Sequence, residues 1–144
     1  TITDSDNICL YFDSISKTKS LFPKDRYWDC MTMISVANGI MENAVNRFIE
    51  MSALPEAEQR PVAIERFEKK ILRSISWIEN KFDEFAKKEI SMDQIAVACA
   101  LDYTSLRLSS EWKKQNPKLT EWLELITENG YMKNTLPGES FKYE

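Results

Sequence analysis

Apolar residues recur at helical spacing along most of the chain. Ile8, Tyr11, Phe12 and Ile15 follow steps of three and four over residues 5–15, behind Asp4 and Ser5, which are residue types that start helices. Residues 16–24 are polar except for Leu21-Phe22-Pro23, and read as a linker whose Leu-Phe pair tucks against a neighbour. A long second helix is predicted over residues 26–51, with Met31, Ile34, Ala37 or Asn38, Met41, Val45 and Phe48 on one stripe. Gly39 within it costs about 1 kcal/mol relative to alanine, which predicts a close packing contact there. Charges and two prolines break the pattern over residues 54–61. Residues 62–86 carry the clearest periodicity: Ile64, Phe67, Ile71, Ile75, Ile78, Phe82 and Phe85. Glu65 with Lys69, Asp83 with Lys87 and Glu84 with Lys88 make favourable outer pairs, and the last two lysines suit the negative end of the helix dipole.

The next segment is a capped start to a helix with no polar face. Ser91 and Gln94 fit a capping box, in which the Ser91 hydroxyl accepts from the Gln94 N–H and the Gln94 side chain reaches back to the Ser91 N–H. Ile90 and Ile95 fit the accompanying hydrophobic staple. Residues 95–101 are all apolar, and a helix apolar all round is buried. The helix over residues 91–108 is therefore predicted to be the central post of a bundle. A loop leads to Pro117, and a further helix over residues 118–128 turns Leu119, Trp122, Leu123 and Ile126 inward before a stop at Asn129-Gly130. Residues 131–144 read as a turn or two of helix and then irregular chain. With no strand pattern or repeat, the prediction is an all-α helical bundle of about five to six helices.

Composition narrows the function. The 144 residues form one soluble globular domain with a real core, at 43% hydrophobic and 29% charged. A net charge of −4 argues against a nucleic-acid surface. No run has the length of a membrane span and no secretory signal is visible. Cys9, Cys30 and Cys99 are an odd set at no useful spacing, which predicts reduced thiols in a cytoplasmic setting. The chain has no histidine, so a Ser-His triad, a Cys-His pair and most zinc sites are excluded. No metal site is expected.

Chemistry is hinted at in one place, Asp4-Ser5. A helix N-terminus presents free N–H groups and a positive dipole end that attract a carboxylate. Ser5 adds a hydroxyl, and Asp4 could pair with an ammonium, so together they suit an α-amino acid head. A plain helix cap is the alternative reading, and the two are compatible. Cys9 and Cys99 read as small buried hydrophobes, whereas Cys30 is ambiguous. Trp28, Trp77, Trp112 and Trp122 read as packing residues.

The box at Ser91 and Gln94, the small-residue helix, and Asp102, Tyr103, Arg107, Trp112, Pro117, Leu119 and Trp122 together resemble the C-terminal helical domain of the glutathione S-transferase family, bacterial members above all. The family usually has aspartate where this chain has Gln94, which closes the same bond without the charge. Residues 3–13 resemble the family pattern in which an acidic residue and a serine open the last helix of a thioredoxin-like domain. The resemblance implies a division into residues 1–18 as that last helix, 19–25 as linker and 26–144 as the helical domain. It further implies that Asp4 and Ser5 contact the γ-glutamyl end of glutathione as co-substrate. No covalent cofactor is implied. The second helix would line the pocket of a hydrophobic electrophile, and the parent protein would be a cytoplasmic homodimer and a transferase. In the family the thiol-activating residue precedes the matched pattern, so no catalytic residue is assigned here and the chain looks like part of a larger protein. The alternative is a non-catalytic transferase-like binding or assembly module. An unrelated helical bundle is the third reading.

Overall fold

A computed structural model describes residues 1–86, 89–128 and 130–135. In chain order it contains α1 (Ser5–Ile15), α2 (Tyr27–Ser52), α3 (Pro61–Asn80), α4 (Phe82–Phe85), α5 (Met92–Arg107), α6 (Trp112–Gln115), α7 (Pro117–Thr127) and α8 (Gly130–Lys133). Single 3-10 turns, Lys24–Arg26 and Glu56–Glu58, precede α2 and α3. No strand occurs among the described residues, and the all-α bundle stands as predicted. Five helices carry it, while α4, α6 and α8 are single turns of 4 residues. Lys87, Lys88, Asn129 and the end of the chain, where two ion pairs, the helix stop and the irregular tail were expected, lie outside the described residues.

The core forms where α5 and α3 pack on α2. From α3 come Ile71, Ile75 and Ile78, every fourth or third residue on one face, all fully buried. The helix ends earlier than its apolar pattern, at Asn80, and Phe82 and Phe85 continue inward from the separate turn α4. From α2 the inward residues are Cys30, Met33, Ile34, Ala37, Ile40 and Ala44. This corrects the predicted stripe: Met31 and Met41 only flank the core, and Val45 is exposed. The reason is that α2 is apolar on two sides, and the predicted stripe runs between them. Polar groups tie the ends together. Glu79 of α3 accepts from the backbone N–H groups of Lys118 and Leu119 at 3.0 and 2.9 Å, capping α7 from another helix. Buried Glu50 accepts from the Arg60 side chain and backbone, which closes the loop between α2 and α3.

The start of α5 differs from the predicted capping box. Ser91 is the N-cap residue, but its side chain makes no bond to the helix backbone. The Ser91 hydroxyl donates to Asp93 Oδ1 at 2.6 Å and accepts from Arg26 Nη2 at 2.8 Å. Gln94 turns outward from the helix end, and its Nε2 donates to the carbonyls of Phe85 and Glu89. The departure of Ser91 has a clear cause. Asp93 is 0% exposed, and a buried carboxylate needs an ion partner and hydrogen bonds. Arg26 supplies the ion pair at 2.6 Å and Ser91 the additional hydroxyl, so Ser91 is recruited away from the cap. Free N–H capacity at the helix start is met from the linker instead, where the Leu21 carbonyl accepts from Met92 N at 2.9 Å.

Three further expectations are corrected. The post α5 is not enclosed on every side: Ala96, Val97, Ala98, Ala100 and Leu101 are buried, but Ile95 is half-buried and Cys99 and Leu106 are exposed along one strip. Cys99 is thus not core. Trp112 is buried and Trp122 packs edge-on against Phe85, but Trp77 is exposed and Trp28 is 78% exposed, so the last two are not packing residues. At Gly39 no close contact exists: an added Cβ would meet no atom within 4 Å. The glycine opens onto a groove of about 440 Å³ between α2 and α3, lined by Val36, Asn43, Lys70, Arg73 and Trp77.

Two outcomes follow for stability, both measurable by urea unfolding. Asp93→Ala should cost about 3 kcal/mol or more, because it strands the Arg26 guanidinium, while Ser91→Ala should cost about 1 kcal/mol; equal costs would contradict the arrangement. Gly39→Ala should stabilise the chain by about 0.5–1 kcal/mol, and a loss of stability would mean that the groove is filled.

Candidate functional site

The site predicted from sequence lies at the N-terminus of α1. Helix α1 begins at Ser5, and Asp4 is its N-cap, with Asp4 Oδ1 accepting from the backbone N–H groups of Asp6 at 3.0 Å and Asn7 at 3.4 Å. The cap is therefore formed. It uses one carboxylate oxygen, and the residue is exposed. Asp4 stands at φ 73 and ψ 133, and is the one non-glycine residue with positive φ among those described. A side chain rarely adopts that backbone, which costs on the order of 1–3 kcal/mol and marks positions held for a purpose. Ser5 follows at the first helical position and is exposed. The turn so built offers a carboxylate oxygen, a hydroxyl and the positive end of a helix dipole within two consecutive residues.

Helix α1 lies on α2 with a light hold. It has no fully buried residue. Cys9 and Leu10 pack partly against the core. At its start, Asn38 Nδ2 of α2 donates to Asp6 Oδ2 at 2.8 Å. At its end, Asp13 accepts from Leu21 N at 2.7 Å and from the Ser20 hydroxyl at 2.6 Å. The contacts order α1 backwards along the first half of α2. On its outer side Ile8, Tyr11, Phe12 and Ile15 are exposed, the last three at 46%, 62% and 58%. The apolar periodicity that predicted α1 is thus the side turned away from the bundle.

No cysteine offers a ready nucleophile beside this turn. Burial raises the Cys9 thiol above its ordinary value, and the charge of Asp6 raises it further. Burial pushes Cys30 up to about 11, with Asp93 adding to the effect. A thiol needs to be a thiolate to attack. The position left ambiguous by the sequence, Cys30, is a core residue next to the Arg26–Asp93 pair.

Sequence reasoning missed Arg26, Asp93 and Asn38. Arg26 lines two cavities, one of about 470 Å³ with Lys19, Ser20, Lys24 and Glu89, the other of about 130 Å³ with Asp29, Met33, Trp77 and Phe85. Neither contains Asp4 or Ser5. The only signal for Asp93 was an acid in the first turn of a helix, which reads as a dipole effect. Asn38 gave the signal of a poor helix former in mid-helix.

No protein-family model and no curated protein matches the chain. Solved structures do. A glutathione transferase family member from Pseudomonas fluorescens Pf-5, crystallised with S-(propanoic acid)-glutathione, is 28% identical with a TM-score of 0.89, over 94% of this chain and 71% of that one. A second structure of a family member from the same organism, with bound glutathione, is 28% identical with a TM-score of 0.90 and is covered over 68% of its length. A glutathione S-transferase from Methylobacillus flagellatus KT, also with glutathione bound, is 26% identical with a TM-score of 0.86, over 94% of this chain and 70% of that one. The chain thus has an all-helical fold similar to the C-terminal helical domain of glutathione transferases, at 26–28% identity to these family members.

Proposed function

We propose that the chain belongs to a glutathione-binding transferase and contributes the γ-glutamyl contact, with Asp4 taking the ammonium and Ser5 the carboxylate of the γ-glutamyl residue. The observation that carries this reading is the capped, strained turn at Asp4, which points the dipole end of α1 outward next to an exposed hydroxyl. A carboxylate gains from the positive dipole end of α1 and the Ser5 hydroxyl, and an ammonium gains from the Asp4 oxygen left over by the cap. The family likeness and the glutathione in the neighbours from Pseudomonas fluorescens and Methylobacillus flagellatus support the choice of ligand.

The rest of the proposal is a division of labour. Residues 1–18 serve as the last helix of a thioredoxin-like domain, 19–25 as the linker and 26–144 as the helical domain. The half of α2 beyond α1 forms the wall for a hydrophobic electrophile, and the protein works as a cytoplasmic homodimer. Conjugation consists of holding glutathione as its thiolate while an apolar electrophile is kept against it. The resemblance assigns the thiolate-holding role to no residue of this chain, so these residues bind and orient rather than activate. No described helix is long and apolar enough to cross a membrane.

The experiment is a titration of the chain with millimolar glutathione, followed by the amide resonances of Ser5 and Asp6, beside an assay with glutathione and an aromatic electrophile. Shifts at those amides, weakened in Asp4→Asn and Ser5→Ala, without turnover by the chain alone, are the expected result. Rapid turnover would contradict the division of labour. Absence of any shift would favour a transferase-like binding or assembly module.

A further inference from the structure

We propose that Asn38 is a positioning residue for glutathione: by holding Asp6, it fixes the turn that carries Asp4 and Ser5. The inference rests on the reading of those two residues as γ-glutamyl contacts. Its starting point is how little else holds that turn. The apolar contacts of α1 come from Cys9 and Leu10, one turn or more further on. The Asp4 cap and the bond from Asn7 Nδ2 to the Thr3 carbonyl lie within the turn and its own approach, so neither ties it to the bundle. The 2.8 Å bond from Asn38 to Asp6 crosses from α2 and does tie it. A binding site loosened by about 1 Å loses much of its effect, so a single cross-helix bond beside the contacts matters.

The residue types fit the role. Asparagine competes with the helix backbone for hydrogen bonds and is a poor choice in mid-helix. Here it is followed by Gly39, so α2 carries two weak helix formers in succession, and no close contact demands the glycine. The hydrogen bond to Asp6 gives Asn38 a purpose. Asparagine is also a neutral donor. A lysine or arginine would hold Asp6 as firmly and would cancel its charge, whereas Asn38 leaves two carboxylates, Asp4 and Asp6, near the expected ammonium. Electrostatic attraction is thereby kept while the geometry is fixed.

The test compares the chain with Asn38→Ala, with Asn38→Asp, and with the reciprocal exchange Asn38→Asp plus Asp6→Asn, which rebuilds the bond with donor and acceptor reversed and keeps the total charge. Glutathione is titrated against each and followed at the Ser5 amide, and urea midpoints are recorded in parallel. Asn38→Ala should weaken binding about three- to tenfold with little change in the midpoint. Asn38→Asp should weaken it at least as much, because two carboxylates then face each other with no donor between them. The exchange should restore binding to within about twofold. If the unaltered chain responds and Asn38→Ala binds equally well, or the exchange fails to rescue, the proposal is overturned by itself. If the unaltered chain gives no response at Ser5, the γ-glutamyl reading fails and takes the proposal with it.

Discussion

The buried pair of Arg26 and Asp93 is the constraint around which the rest is arranged. Asp93 carries a charge into the interior, and an unpaired carboxylate there would cost several kcal/mol. Its position in the first turn of α5 lowers that cost, because the helix dipole favours a negative group. The two-pronged bond from Arg26 and the hydroxyl of Ser91 supply the remainder. Arg26 is the residue immediately before α2. One ion pair therefore locks the starts of α2 and α5, the two helices that make the largest contact in the molecule. The linker is drawn into the same place through Leu21, and Lys19 pairs with Glu89 beside it. Since Asp13 holds Leu21 in turn, the placement of α1 is passed along backbone and side chains to the core. Breaking the pair by removing one partner leaves the other charge buried, which is why the loss of either is costly whatever the pair's net contribution.

How much was legible in the sequence depends on how local the cause is. The isoleucines of α3 announce a buried face because that face meets only one neighbour layer. Asp4 was legible as a cap because a cap is satisfied within its own turn. Ser91 was legible as the N-cap position but not in its bonding, because its partners are set by Arg26, 65 residues away. The inward face of α2 was misplaced because α2 also carries apolar residues off that face, Met31 and Met41 at the edge of the core and Val45 and Ile49 exposed. Spacing alone then fits a stripe through the middle. Cys99 and Trp28 failed for a related reason. Apolar character shows that a residue can be buried, and the neighbours decide whether it is.

For the candidate site the division is sharper. Asp4 and Ser5 stand together in the sequence as they do in space. Asn38 is 32 residues from Asp6, and no pattern in either segment points to the other. A polar residue in mid-helix is ordinarily assigned to solvent, and only the packing of α1 on α2 gives Asn38 a partner. The backbone of Asp4 was equally hidden, since aspartate is a common cap in ordinary conformations.

These features fit a site whose order is shared between protein and ligand. Helix α1 has 11 residues, and α2 has 26, so the first spans about 16 Å and the second about 39 Å. The short helix covers only part of the long one, and its first turn lies where that cover ends. A single hydrogen bond to a carboxylate contributes about 1.5–3 kcal/mol net, comparable with the strain on the order of 1–3 kcal/mol held at Asp4. A turn so balanced frays unless something else holds it. A ligand that binds only the formed turn supplies the difference by mass action. Glutathione at the N-terminus of α1 would thus stabilise the geometry that recognises it, while Asp13 and the Arg26–Asp93 lock keep the far end of the helix in place.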